Sequence, residues 1–471
     1  MSLAAEVSQP VPMPQNRRRS ELIMLLFALV ITFFAYASVG LGLKGAVPPG
    51  LPVDLIVFAV AMLAAHLAIR RYAPYADPLI LPLAALLNGL GIVMIYRLQE
   101  SGRNGNPGLQ VTVMSTSATS FQVMYAAIGV LCLVAVLVLI SEARVLQRYT
   151  YTLGAVGLVL LAIPALLPDS LSSVNGAKVW IIVGRFSIQP GEFARLALAV
   201  FFAGYLVAKR DVLSLAGRRF LGIDLPRARD LGPVLIAWAA SLLILIFETD
   251  IGTAALFFGM FVVMLYLATQ RTSWLLIGVL LFLFGTFITA NLSSHVMERF
   301  TVWLHPFAGS NPTGIAYQPV QALEGMAFGG LFGTGLGQGQ PYHTPLVQSD
   351  FIISAFGEEL GLVGLMALLI VFGLLVQRGL RAALAVKDPF AKLLIGGLSF
   401  VLALQVFVIV GGVSGLIPLT GVTTPFLSEG GSSLVASWIL VGLLIRVSDS
   451  ARGPAPQPIQ DEGMTQVVRA A

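Results

Sequence analysis

The chain has 471 residues, of which 57% are hydrophobic and only 11% charged, with a mean hydropathy of +0.88. This excludes an ordinary soluble domain: apolar runs of about 20 residues recur, the length that crosses a bilayer core of roughly 30 Å. The single cysteine, Cys132, excludes a disulfide framework or a Cys-based metal site, and the net charge of +5 is dispersed between apolar segments, which speaks for loop topology and against a nucleic-acid partner.

In chain order the apolar runs predict an all-α polytopic membrane protein of about 12 transmembrane helices, near 22–43, 51–69, 78–97, 121–140, 150–168, 191–208, 232–248, 251–268, 273–291, 351–376, 391–411 and 431–446. An even number of spans puts both termini on one side. Arg17, Arg18 and Arg19 precede the first span without the features of a removable signal peptide, so the N-terminus is expected in the cytoplasm. With that orientation 21 of the 28 Lys and Arg residues fall on the cytoplasmic side, as the positive-inside tendency requires.

The polar excursions expected on the outer side carry the chemistry. The first is Asn175-Gly176-Ala177-Lys178-Val179-Trp180, followed by Arg185 and by Pro190-Gly191-Glu192-Phe193-Ala194-Arg195. Pro190 suits the first turn of a helix, on which Glu192 and Arg195, three residues apart, share a face. Trp180 and Lys178 taken singly would be interfacial anchors, but Lys178, Arg185 and Arg195 together run against the positive-inside trend. The second excursion places Glu248 and Asp250 between apolar runs, where carboxylates must face a polar cavity or pair with a cation; Arg195 is the expected partner.

The third and longest excursion runs from about Leu292 to Ser349 between spans 9 and 10. Its first part spaces Val296, Phe300, Trp303, Leu304 and Phe307 on one face of a helix expected to lie in the interface among membrane lipids. Glycines at 329, 330, 333, 335, 337 and 339 follow, suited to a flexible linker or to backbone that approaches a ligand closely. No Gly-Lys-Ser/Thr follows them, so a nucleotide loop is excluded. The loop delivers Asp350 to the start of the next span, an expensive place for a carboxylate and hence a functional one. A fourth excursion, 417–433, is rich in Gly, Pro and Ser and would line a cavity mouth or form an inter-helix turn. His66, His295, His305 and His343 lack metal-ligand spacing, and Ser432-Ser433 reads as a packing contact.

The ordered series NGAKVW, QPGEFAR, ETDIGTA, YQPVQAL, GLGQG, SDFI, GEELG, TGVTTPF and SEGGSS resembles the SEDS family (shape, elongation, division and sporulation), the RodA/FtsW-like membrane proteins, from about Asp77 to Arg446. The resemblance implies a ten-helix core at 73–448 preceded by an additional helix pair at 21–72; the orientation above puts a basic tail at 1–20 and a Pro-containing tail at 449–471, expected to be disordered, in the cytoplasm. The resemblance implies a peptidoglycan glycosyltransferase of the bacterial cytoplasmic membrane, polymerising lipid II into a lipid-linked glycan on the outer face beside a class B penicillin-binding transpeptidase. It also implies that Asp350 is the essential acid and that Trp180 matters. Departures from the family pattern include Leu346-Val347-Gln348-Ser349, where Glu and His are usual, and Glu429, where Tyr is common.

The residues suit that chemistry. A sugar 4-hydroxyl attacking the anomeric carbon of a lipid-pyrophosphate donor needs a base and a positive charge for the departing pyrophosphate. Asp350 supplies the base, with a pKa expected to rise beside apolar Phe351. Lys178, Trp180, Arg185 and Arg195 are the candidate substrate contacts, and the cations or a bound divalent cation would neutralise the pyrophosphate. Glu192, Glu248, Asp250, Glu358 and Glu359 would line or support the polar cavity. On an ideal helix Glu358 is about 12 Å from Asp350 and Glu359 on the opposite face, too far for a retaining pair, so an inverting displacement is expected. A lipid II flippase and a non-catalytic scaffold are the competing classes.

Overall fold

The computed structural model describes residues 17–104, 117–174, 177–184, 186–213, 216–220, 223–226, 236, 239–240, 243 and 250–454. The chain is an all-α polytopic membrane protein. Its principal helices are α1 (Arg18–Lys44), α2 (Leu51–Tyr72), α3 (Ile80–Asn104), α4 (Ala118–Leu139), α5 (Thr150–Leu166), α6 (Pro190–Leu213), α7 (Ile251–Thr269), α8 (Thr272–Leu292), α9 (Ser294–Leu304), α10 (Tyr317–Gly329), α11 (Ile352–Ala385), α12 (Pro389–Val413) and α13 (Gly431–Arg452). Ten of them, α1–α4, α6–α8 and α11–α13, are long and apolar enough to cross a bilayer, and α5 is a shorter apolar helix of 17 residues. Of the expected span near 232–248, only 236, 239–240 and 243 fall among the described residues, all helical.

Local chemistry sets the ends. Asp250 caps α7 by accepting from the Thr253 amide at 2.9 Å, Asp388 caps α12 through the Ala391 amide at 3.0 Å, and Pro190 opens α6 as its fixed φ favours. α3 and α13 are almost wholly buried and form the centre of the bundle. There Trp438 packs edge-on against Phe426 and donates to Asn88 Oδ1 at 3.2 Å. The apolar flanks of α1, α8 and α11 face outward, as lipid-facing helices do. Short antiparallel hairpins join Ser173–Val174 to Ala177–Lys178, Ile181–Val183 to Phe186–Ile188, and Ala216–Phe220 to Ile223–Pro226.

The two ends of the bundle differ in kind. At one end Asp77 pairs with Arg452 and lies 3.6 Å from Arg378, while Arg446 donates to the carbonyls of Tyr72 and Leu137. These contacts tie the start of the core to its last helix. His66, deep in α2, bonds Glu21 at 2.7 Å, and Glu21 pairs with Arg18. Arg18 is therefore consumed inside the fold as the first residue of α1.

The other end holds the long excursion, which is ordered. α11 is broken at Gly361 (φ 70°, ψ −174°), which frees backbone groups that a membrane environment cannot satisfy with water. The glycine-rich chain supplies them: the Thr334 and Gly335 amides donate to the carbonyls of Glu358 and Glu359, and the Leu362 and Val363 amides donate to those of Gly330 and Leu331, all at 2.9–3.0 Å. Gly333, at φ +78°, lies backbone to backbone against Gly361, where no side chain fits. The reading of this glycine run as a flexible linker gives way to a docked segment.

Beneath it, Arg97 of α3 donates from Nε to Glu359 at 2.5 Å, from Nη2 to the Gly339 carbonyl at 2.6 Å, and from Nη1 to Ser101. Glu359 also accepts from the Gly337 amide at 3.0 Å, and Glu358 from the Gln340 amide at 2.5 Å. Both glutamates thus support the loop. Arg97→Met is expected to leave the Glu359 charge buried and unpaired, lowering stability by about 3–5 kcal/mol, which thermal unfolding in detergent measures.

Candidate active site

Asp350 is displayed by two clamps. Within its own segment the Ser349 amide donates to the Leu346 carbonyl at 3.1 Å, and Val347 and Phe351 on either side are fully buried. From the excursion 417–433, Ser428 Oγ donates to the Ser349 carbonyl at 2.6 Å and the Glu429 amide donates to the Gln348 carbonyl at 2.8 Å. Asp350 itself is half-buried. Burial pushes its carboxyl up to about 6, further helped by the negative Asp250, while Ser349 and Arg299 oppose the rise.

Arg299 is the cation of this site. It projects from α9, and its Nη1 donates to the carbonyls of Leu419 at 3.3 Å and Thr420 at 3.2 Å. At Gly421 (φ +75°) the position a Cβ would take lies 3.8 Å from Arg299 Nη2 and 3.9 Å from Asp350 Oδ2, so one small residue lies beside both charges. Burial pulls the guanidinium below its ordinary range, and Asp250 and Asp350 hold it up. Arg299 makes no direct ion pair with either carboxylate among the described residues, and its charge acts on both through space. Asp250 is already committed: besides the Thr253 amide it accepts from the Thr253 hydroxyl at 2.6 Å, and burial raises its carboxyl.

Arg195 does not reach Asp250 as expected. It donates to Glu192 at 2.5 Å, one turn away on α6, and to Gln405 Oε1 at 2.7 Å, because the three-residue spacing already brings a carboxylate alongside it. Glu192 and Arg195 line a cleft with Gln189, Gly191, Thr253 and Val422, of which Thr253 bonds Asp250 and Val422 follows Gly421. Lys178 pairs with Asp169 at 2.6 Å, and half-buried Trp180 is held through its amide on the Ser172 carbonyl at 3.2 Å. Arg185 and Glu248 lie outside the described residues. Ser432 accepts from the Gln189 amide at 2.8 Å, tying the base of the site together. Among the described residues no three His, Cys, Asp or Glu side chains converge as a metal site would require.

Arg299 went unremarked in the sequence, although its signal was there. It stands three residues after Val296 and one before Phe300, a charge on the apolar face of an interfacial helix. Such a residue faces either lipid or a partner inside the protein, and here it binds the 419–420 carbonyls beside the acid.

A polytopic helical membrane protein that presents an acid and a guanidinium together at one end of its bundle is a membrane-surface enzyme in design. The chain belongs to the FtsW/RodA/SpoVE family of cell cycle proteins, which it matches over residues 77–453, the family that its motif series resembles. It is 49% identical over 460 residues to the peptidoglycan glycosyltransferase RodA of Mycobacterium tuberculosis, covering 96% of this chain and 94% of that protein. It is 36% identical to stage V sporulation protein E of Bacillus subtilis over 62% of this chain and 77% of that protein. Among solved structures, a chain from a study of how a peptidoglycan synthase complex coordinates polymerization and crosslinking superposes with a TM-score of 0.62 at 25% identity, covering 80% of this chain and 98% of that one.

Proposed function

We propose that the protein polymerises lipid II at the outer face of the cytoplasmic membrane, as a peptidoglycan glycosyltransferase serving cell elongation or division. The observation that carries the reading is the placement of Asp350 and Arg299 beside one glycine, Gly421, at the end of the bundle that holds the long excursion. Asp350 accepts the proton of the acceptor 4-hydroxyl as its oxygen bonds to the anomeric carbon. The bond from that carbon to the pyrophosphate breaks, and the leaving oxygen keeps the electron pair. Arg299, held by two backbone carbonyls, is placed to offset the charge that develops there. Asp250, the other carboxylate in this field, has both oxygens engaged by Thr253 and is a poor nucleophile, which supports single displacement with inversion.

No nucleotide enters this scheme. A divalent cation at the pyrophosphate would share the task of Arg299, and titrating the assay with a chelator measures that share. Glu192 and Arg195 would extend the polar cavity toward the donor, while Lys178, Trp180 and Arg185 would meet the substrate at its margin. The transpeptidase partner is a class B penicillin-binding protein, a proposal supported by the likeness to a chain from a synthase complex. The outer placement of the site, with both termini in the cytoplasm, rests on the 21 of 28 basic residues that this orientation assigns to the inner side.

The test uses purified protein with lipid II and no ATP: glycan chains are expected. In liposomes the flippase alternative predicts movement of labelled lipid II without chain growth, and a scaffold gives neither. Labelling of Ser310→Cys, in the long excursion, by an impermeant thiol reagent from outside intact cells is expected; protection there would reverse the topology.

A further inference from the structure

We infer that α1 and α2 form an internal clamp that positions Asp350 for turnover by holding the glycine-rich loop; this rests on the glycosyltransferase reading above. The family match begins at residue 77, after both helices, whereas the mycobacterial relative aligns with 96% of the chain and therefore shares them. If the pair were only an extra anchor, its contacts would stay within the bilayer. Instead the far end of α1 reaches the loop that precedes Asp350.

Three contacts define the clamp. Gln338 Nε2 donates to the Gly42 carbonyl at 3.3 Å. Gly42 lacks a side chain where the loop crosses: a Cβ there would meet the Leu336 carbonyl oxygen at 2.8 Å and the Gly337 Cα at 3.4 Å. Leu336 inserts its side chain against a small cluster of Ala35, Tyr36, Val39, Leu51, Val93 and Tyr96, drawn from α1, α2 and α3. Two further bonds stiffen that end. Lys44 pairs with Glu100 of α3, and Tyr36 donates to Asp54 Oδ2 of α2 at 2.9 Å.

From the clamp the connection to the acid is short. Gly337 and Gly339 on the same loop bond Glu359 and Arg97, Gln340 bonds Glu358, and ten residues later the chain is at Asp350. Both glutamates belong to the first turns of α11, which begins two residues after Asp350. The acid is thereby bracketed between a loop that α1 holds and a helix that the loop holds. The 417–433 excursion holds both Arg299, through its 419–420 carbonyls, and the residues just before Asp350, through Ser428 and Glu429, so releasing the loop from α1 removes the other support of the Asp350 segment and should loosen the acid relative to Arg299, while the cleft on α6 and α7 stays in place.

The experiment compares two variants that release the loop by different means, Leu336→Ala, which removes the anchor, and Gly42→Leu, which pushes the loop off. Gly373→Ala serves as control, since a Cβ there would meet nothing within 4 Å. In steady-state polymerisation of lipid II by the full-length protein, both release variants are expected to lower kcat about tenfold or more with KM unchanged, the pattern of a misplaced catalytic group. Hydrogen exchange over 336–350 is expected to rise in both, with α7 and α12 unaffected, and the control to match the wild type in each readout. Unchanged kcat, a loss carried by KM, or unchanged exchange over 336–350 overturns the clamp. If the wild type makes no glycan, the glycosyltransferase reading has failed, and the exchange measurement alone decides whether α1 holds the loop.

Discussion

Asp350→Asn is expected to reduce lipid II polymerisation by about 10²–10⁴-fold, the contribution of a positioned general base, while leaving the protein folded in detergent. The substitution preserves size and removes only basicity, so a loss with unchanged thermal unfolding assigns the effect to proton transfer. The acid should also show itself in the pH profile. Its carboxyl is raised to about 6, chiefly by burial, and the base acts only when ionised. The wild-type kcat/KM should therefore fall as pH drops through about 6 and level off above it. Substantial activity in Asp350→Asn, or an acid limb below pH 4.5, would remove this residue from the role of base.

Arg299→Ala is the second large effect, expected at about 10²–10³-fold in kcat, comparable with the loss of a single preorganised donor at a developing oxyanion. Arg299→Lys should recover only part of it. A lysine keeps the charge, but it lacks the planar fork that lets Nη1 rest on the Leu419 and Thr420 carbonyls while Nη2 lies beside Gly421. Without the cation, the Asp350 carboxyl should rise further, so the acid limb of any residual activity moves to higher pH. Full activity in Arg299→Ala, or a limb that stays in place, would show that another group meets the pyrophosphate.

Much of this architecture was legible in the sequence because membrane helices announce themselves by length and composition. The start of α6 at Pro190, the interfacial helix α9 and the placement of Asp350 ahead of α11 all follow from local residue chemistry. The expected helix at 296–307 appears as 294–304, ending before Pro306. Partnerships were harder. Arg195 was matched to Asp250 by charge alone, but a helical neighbour three residues away was closer. α10 and the hairpins around Trp180 were missed, since two- and three-residue strands carry too little alternation to be seen. The docking of the glycine run onto α11 depends on a helix break at Gly361, in a sequence, Gly-Glu-Glu-Leu-Gly-Leu, that reads as uninterrupted helix.

That break has a consequence for how this stretch can vary. Residues 330–335 meet 358–363 in a fixed correspondence, 330 with 362, 331 with 363, 334 with 358 and 335 with 359, much as one strand is registered on another. One added or deleted residue between Gly330 and Gly335 would break the spacing between the two pairs of bonds and leave at least one pair of peptide groups without its partners. Changes of length are tolerable only outside this stretch, so the segment is fixed in number, and at Gly333 and Gly361 in letter as well.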